Sequence, residues 1–405
     1  MTEIGLTQPA EQLNGFLKEG HALLETLKDN IVSPAQEKTL RTWKIKEAAS
    51  IIGRSVTYIQ KMEGDGNLLG APDLDENGKR VYSLERINYI RDKLKCGVNR
   101  PPGVKTTVLG VGIFKGGCTK TTTTIHLGQR AALKGHKVLV IDLDAQASLS
   151  FLFGLLPEEA TSGERTLDPV LIDGQPLVDS ITPTYFPGLD LVRSSIMLQT
   201  TELYLYNEQF RAQNEIVGTL PLERLDLAIQ ELENFYDLII IDFPPNLGML
   251  TLSALKAITG LIIPVTPSLL DYQSALQFID TFKSIRGNDN FGKSLDIFRL
   301  CVSRVTGNKE DQRIMSLLEL TFKEFLLENV MVQSEEVKKA ASSFSTVYET
   351  DKPQGSRTTY LRALNSLNDL NDEILGLVYK TWEKQSADIQ VSEQEDQTTE
   401  VAIHD

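Results

Sequence analysis

The stretch TVLGVGIFKGGCTKTTTTIHLGQRAAL, residues 107–133, decides how the rest of the chain is read. Thr107–Phe114 is a β-rich apolar run, and Thr122–Leu133 carries helical spacing. Between them stands Lys115-Gly116-Gly117-Cys118-Thr119-Lys120-Thr121. A Gly-rich turn from strand to helix lets backbone N–H groups surround phosphate oxygens, and the helix N-terminus adds partial positive charge. In such a loop Lys120 neutralises β/γ-phosphate charge and the Thr121 hydroxyl ligates Mg²⁺. The strict pattern G-x-x-x-x-G-K-[ST] is not met, because Phe114 and Thr119 occupy its glycine positions. On this segment alone, a phosphate loop and an ordinary Gly-rich turn stand level.

Two acidic motifs further along separate them. Val138–Asp144 (VLVIDLD) ends a strand with Asp142 and Asp144. Leu238–Asp242 (LIIID) ends another with Asp242, followed by Phe243-Pro244-Pro245. In a parallel sheet, carboxylates at the C-terminal ends of strands face the ligand crevice. One acid after an apolar strand is commonly a turn or cap residue. A phosphate loop, then D-x-D, then a strand ending D-x-P-P, in that order, points to a Mg-nucleotide site. Further strands, Leu261–Val265 and Phe298–Val302, alternate with helical stretches, which predicts βαβ units and a mostly parallel, twisted sheet flanked by helices. The last helix is predicted from about Thr358 to Lys384. Gln385–Asp405 has six acids and no Lys or Arg and reads as a disordered acidic tail.

Upstream lies a block of different character. The chain carries 55 Asp or Glu against 41 Lys or Arg and a formal charge of −14, yet Arg41–Lys105 holds 13 Lys or Arg against 8 Asp or Glu. An acidic protein with a basic module at its front is the result. Lys44–Ile52 is helical in spacing, Gly53 permits a tight turn, and Ser55 can cap a second helix to Met62. Asn77-Gly78 favours a type I′ hairpin returning through Arg80-Val81-Tyr82. Ser83 can cap a last helix with Leu84, Ile87, Ile90 and Leu94. Helix, helix, hairpin, helix describes a winged helix-turn-helix. Its second helix would enter the major groove with Arg54, Ser55, Thr57, Tyr58 and Lys61, while Lys79 and Arg80 would act from the wing. Asn99–Lys105 (NRPPGVK) reads as an extended linker. The boundaries that follow are 1–40 for an N-terminal helix, 41–98 for the winged module, 99–105 for the linker, 106–384 for the nucleotide domain and 385–405 for the tail. The N-terminal helix, Glu11–Asn30, carries an apolar stripe that either packs on its own chain or pairs subunits.

Three isolated cysteines, Cys96, Cys118 and Cys301, have no metal-ligand spacing and fit a reducing compartment. No apolar run approaches the roughly 18 residues of a membrane span. The opening MTEIGLTQPAEQ lacks the basic and apolar parts of a secretory signal, so a cytoplasmic chain is expected. Cys118 is expected to contribute only its backbone N–H, and His126 and His136 look structural or exposed.

This order of motifs resembles the ParA/MinD branch of P-loop ATPases, with its deviant phosphate loop K-G-G-x-x-K-[ST], over about Thr107–Lys384. The whole chain is similar to the larger ParA-type plasmid partition ATPases, which carry an N-terminal DNA-binding domain. The resemblance rests also on DLDAQAS at Asp142–Ser148, DFPPNLGMLTLSAL at Asp242–Leu255 and the run Val337–Tyr348. WKIKEAASIIGRSVTYIQ with NGKRVYSLERINYIRD resembles the MerR-like winged helix of that subgroup. What the resemblance implies is an ATPase with weak basal turnover, taking ATP/ADP and Mg²⁺ on residues 115–122. Lys120 would hold the β/γ-phosphates, Thr121 would bind Mg²⁺, Asp142 and Asp242 would stand in its outer shell, and Asp144 would orient the attacking water. Lys115 would reach across a homodimer to the partner's ATP. The resemblance further implies operator DNA bound by the front domain with autorepression, nonspecific nucleoid DNA bound by the ATP dimer, and a centromere-binding ParB-type partner. In the C-terminal part Lys338, Lys339 and Arg357 are basic residues that would meet the nonspecific DNA or, alternatively, belong to a solvated charged face. Thr119 stands where the family usually has Gly, and Ala145 where it has Pro. A basic membrane-binding C-terminal helix of the MinD kind is absent from the sequence, which ends acidic, and clustered iron–sulfur cysteines are absent too. The remaining rival is a repressor whose P-loop domain only senses nucleotide.

Overall fold

The computed structural model describes residues 15–20, 22–23, 26, 38–64, 66–155, 165–212, 220–287, 291–351, 353 and 355–404. In the front block, β1 (Trp43–Lys44) leads into α1 (Ile45–Ile52) and α2 (Val56–Met62); β2 (Asp73–Leu74), β3 (Arg80–Tyr82) and α3 (Leu84–Leu94) follow. The strands form an antiparallel sheet in the order β1-β3-β2. Gly53 ends α1 at φ 76°, and the Ser55 hydroxyl accepts the Tyr58 N–H at 3.2 Å to start α2. Ala48, Ile52, Ile59, Ile87 and Ile90 are buried between the helices. The hairpin is wider than the expected two-residue type I′ turn. Asp75 N–H still pairs with Lys79 O at 2.8 Å, leaving Glu76-Asn77-Gly78 as the turn with Gly78 at φ 70°. The cause is the Asp75 carboxylate, which accepts the Asn77 and Lys79 N–H groups at 3.0 and 2.8 Å.

The second part begins with β4 (Thr107–Val111), α4 (Lys120–Leu133), β5 (Val138–Asp142), α5 (Ser148–Leu152) and α6 (Asp168–Asp173). It continues through β6 (Thr182–Pro183), β7 (Leu189–Val192), α7 (Leu198–Ala212), α8 (Arg224–Gln230), β8 (Leu238–Asp242) and α9 (Met249–Ala257). Then come β9 (Gly260–Val265), α10 (Leu269–Arg286), β10 (Ile297–Val302), α11 (Lys309–Phe322), α12 (Glu335–Ser342) and α13 (Arg357–His404). Among the described residues the sheet has seven strands in the order β10-β9-β4-β8-β5-β7-β6, parallel except for the β6–β7 edge pair. Every residue of β4, β5, β8 and β9 is buried, which is why these strands read as unbroken apolar runs rather than alternating ones. Asp142 and Asp242 are register partners at the ends of β5 and β8.

The front module is not strung on a free linker. The buried Arg91 of α3 donates to Ile51 O at 2.8 Å and to Leu133 O at the end of α4. Arg100 donates to Glu233 O at 2.8 Å, and Arg41 to Thr350 O at 2.8 Å. The expected tail is likewise corrected: α13 runs on through 385–404. That segment has no Gly or Pro to stop a helix already begun, and Ile389 packs at its start against the core. Of the N-terminal helix, residues 15–20, 22–23 and 26 are helical, with Phe16, Leu17 and Leu23 exposed; the rest of that stripe lies outside the described residues.

Candidate nucleotide site

The site is built at the C-terminal ends of β4, β5 and β8. After β4 the chain turns through Gly117 at φ 76° and Thr119 at φ 61° before α4 begins at Lys120. The Thr119 hydroxyl lies 2.6 Å from Cys118 O and 2.7 Å from Ser303 Oγ, which anchors a threonine in a conformation that favours glycine. Lys120 Nζ donates to Lys115 O at 2.8 Å. Burial lowers the Lys120 pKa, opposed by the charges of Asp242 and Asp144. Thr121 Oγ1 donates to Asp242 Oδ2 at 2.6 Å and Thr124 Oγ1 to Asp242 Oδ1 at 3.1 Å. Asp142 accepts the Ser150 N–H at 2.9 Å and the Ser150 hydroxyl at 2.8 Å. Burial pushes both strand-end carboxyls well above the usual carboxylate range. Asp144 accepts the Gln146 N–H at 3.0 Å and lines the cavity.

That cavity, about 780 Å³, is lined by Gly116–Thr122 and Asp144 on one side. Its other wall comes from Arg304, Met331–Ser334, Val337 and Lys338. These residues carry no motif; only the similarity of Val337–Tyr348 pointed near them. Lys115 does not face outward alone. Its ammonium contacts the buried Asp271 carboxylate of the same chain, whose Oδ2 also accepts the Thr266 N–H at 3.1 Å. Cys118 is buried and burial raises its thiol pKa. His126 and His136 are buried, bonded to Thr122 O and Tyr379 OH at 2.7 Å each.

Of the expected DNA residues, Lys338 lines the wall of this cavity and the others do not. Arg54, Thr57, Tyr58, Lys61 and Lys79 are exposed, as are Lys338, Lys339 and Arg357. Ser55 is engaged as a helix cap. Arg80, expected in the wing, is partly exposed, and its Nη1 donates to the buried Glu63 at 2.9 Å, beside the Tyr82 hydroxyl at 3.0 Å, so it also neutralises an interior carboxylate.

A mostly parallel sheet, a lysine and threonine opening the first helix and paired acids at neighbouring strand ends define a P-loop nucleotide-binding protein. The model of a family described as AAA domain matches residues 106–297. The chain is 35% identical to "Putative replication protein A" of Sinorhizobium fredii (strain NBRC 101917 / NGR234), over 94% of this chain and 97% of that protein. It is 32% identical to Protein SopA of Escherichia coli (strain K12), over 92% of this chain and 98% of SopA. A solved structure of a "Partition Protein" shares the fold, with TM-score 0.60 at 16% identity, over 91% of this chain and 99% of that one. The chain belongs to the ParA-type plasmid partition ATPases, in the ParA/MinD branch of P-loop ATPases. Among the described residues, no helix is long and apolar enough to cross a membrane.

Proposed function

We propose that this chain hydrolyses ATP with Mg²⁺ and uses the nucleotide state to control its hold on DNA during plasmid partition. The observation that carries the reading is the convergence of Lys120, Thr121 and Asp144 on one cavity beside the Gly-rich loop, with Asp242 bonded to Thr121 and paired with Asp142 in the sheet behind it. The residues fit the ligands. Thr121 and Asp242 present hard oxygen donors, and Asp142 stands beside Asp242 in the sheet register, an all-oxygen set that suits a divalent cation. Bound Mg²⁺ would neutralise phosphate charge. Lys120 would exchange the Lys115 carbonyl for phosphate oxygens, and Asp144 would orient water. Lys115 would leave Asp271 to meet the nucleotide of a partner subunit in a homodimer. The exposed basic face of α2 supports operator binding and autorepression, and a ParB-type centromere-binding protein would stimulate a weak basal turnover at the nucleoid. The exposed stripe of the N-terminal helix would pair subunits.

Lys120→Ala should lower ATP affinity by at least about tenfold and abolish turnover, because a buried phosphate charge loses its counter-ion. Asp144→Ala should keep ATP affinity and lose turnover. Both are read by ATP titration and phosphate release, with and without DNA. Equal DNA affinity in the ATP and ADP states would favour the nucleotide-sensing repressor instead.

A further inference from the structure

Lys38 stands ahead of the winged module, outside every motif considered above, yet its side chain ends inside the ATPase domain. Its Nζ is buried among Leu152 O at 3.1 Å, Tyr185 OH at 2.5 Å, Phe344 O, and Glu349 Oε2 at 2.8 Å. An ammonium has three donors, and here they are spent on two backbone carbonyls and an acidic or phenolic oxygen. Glu349 also accepts from Gln129 Nε2 at 2.7 Å and from Ser345 Oγ at 3.2 Å, and the Thr346 hydroxyl donates to Gln129 Oε1 at 2.5 Å. Gln129 lies on α4, the helix that begins at Lys120.

Of the two carbonyl groups that Lys38 holds, that of Leu152 belongs to the wall of the nucleotide cavity and that of Phe344 lies two residues past the end of α12, which forms another wall. Phe151 and Leu152, at the end of α5, line it on one side; Val337, Ala341 and Ser342 of α12 line it on the other. The Phe151 and Phe344 rings meet with centroids 4.4 Å apart, so the end of α5 and the turn after α12 are already in contact where Lys38 ties them. One ammonium therefore fixes the separation of two cavity walls and, through Glu349 and Gln129, their position against the phosphate-loop helix. Burial lowers the Lys38 pKa while Glu349 holds its charged form. Three residues further on, Arg41 is bonded to Thr350 O at 2.8 Å, which anchors the same segment again before α1 begins.

We propose that Lys38 is a positioning residue for the nucleotide pocket, and that the segment leading into the front module is thereby linked to nucleotide occupancy. The inference rests on the reading of that cavity as the nucleotide site. Linkage is reciprocal: if the docked segment shapes the pocket, a bound nucleotide must hold the segment in place.

The test uses the full chain and the fluorescent analogue mant-ATP. Lys38→Met keeps the length of the side chain and removes its charge. Its Kd for mant-ATP and its KM for ATP should rise about tenfold, within the range typical of coupled sites. Its kcat should stay within about twofold of wild type, because Lys115, Lys120 and Asp144 are untouched, whereas loss of folded protein would lower kcat and leave KM unchanged. Glu349→Gln should move Kd in the same direction. Independently of any variant, saturating mant-ATP should slow amide hydrogen exchange over residues 38–43 of the wild-type chain. Unchanged Kd in Lys38→Met, or unchanged exchange in the wild type that binds mant-ATP, overturns the proposal alone. No mant-ATP binding by the wild type overturns the nucleotide reading and this inference with it.

Discussion

Thr119 precedes Lys120 at φ 61°, a conformation that costs a β-branched residue on the order of 1–3 kcal/mol. Its hydroxyl recovers part of this through the contacts with Cys118 O and Ser303 Oγ, which explains how a threonine is held in a conformation that favours glycine. Seven residues later, His126 shows a different kind of constraint. Its Nδ1 serves Thr122 O, and its Nε2 is buried with no hydrogen-bond partner, so the neutral ring is the one that fits. Burial pulls its pKa from 6.5 down to about 4. The folded chain takes up this proton only near pH 4, the unfolded chain already near 6.5. Stability present above pH 6.5 is therefore lost as the pH falls towards 4, by about 3 kcal/mol from this one ring. His126→Gln removes the titration. Urea unfolding at pH 7 and pH 4 should show a smaller loss in the variant by about that amount, and equal losses would mean the ring is protonated in the fold.

At the scale of elements, the end of β4 owes its position to what lies beside it. Phe243, the second residue of the D-F-P-P run, is buried with its ring across β4. A Cβ on Gly110 would come 2.8 Å from that ring, and one on Gly112 closer still. The two glycines let β8's loop lie flat on the strand that feeds the phosphate loop. Gly112→Ala must push Phe243 away, and with it Pro245, which lines the cavity. Overpacking of this kind costs about 1–3 kcal/mol. The variant should show a lower unfolding midpoint in urea together with weaker mant-ATP binding; a lower midpoint with wild-type affinity would show that the loop absorbs the shift without moving the site. α13 teaches the converse point about elements. The acidic composition of 385–404 predicts disorder, but the segment contains no Gly or Pro and extends a helix already nucleated, to which each further residue adds without a new nucleation cost.

For the whole molecule, the position of the front module depends on buried cations reaching across to the ATPase domain. Arg91 is the clearest: buried, its pKa lowered by burial to about 10, it joins Ile51 O of α1 to Leu133 O at the far end of the helix that starts at the phosphate loop. Arg91→Ala leaves two interior carbonyls without their donor, at a cost of about 1–3 kcal/mol each. The module should then undock. Limited proteolysis should cut the 99–105 linker faster than in wild type, and X-ray scattering should report a larger radius of gyration. Unchanged cleavage and radius would mean that the shared apolar core, not the guanidinium, holds the module. Arg54 and Lys61, proposed above for DNA, stay exposed in the docked arrangement.

The features legible in the sequence are those whose parts are near one another along the chain. The turn from β4 into α4, the acids closing VLVID and LIIID, and the capped helices around Gly53 follow from local periodicity, glycine and capping chemistry. Their meeting in one crevice follows from parallel pairing, which brings strand C-terminal ends to one edge. Side-chain partners were not legible. Lys115 with Asp271, Arg80 with Glu63, Arg91 with Leu133 O, and Lys38 with Glu349 and with Phe344 O, 306 residues away, each join a charge to an oxygen on another element. A basic residue read in sequence can equally serve solvent, DNA or an interior carbonyl. Only tertiary packing decides, because burying a charge is tolerated where the fold delivers an oxygen to meet it and nowhere else.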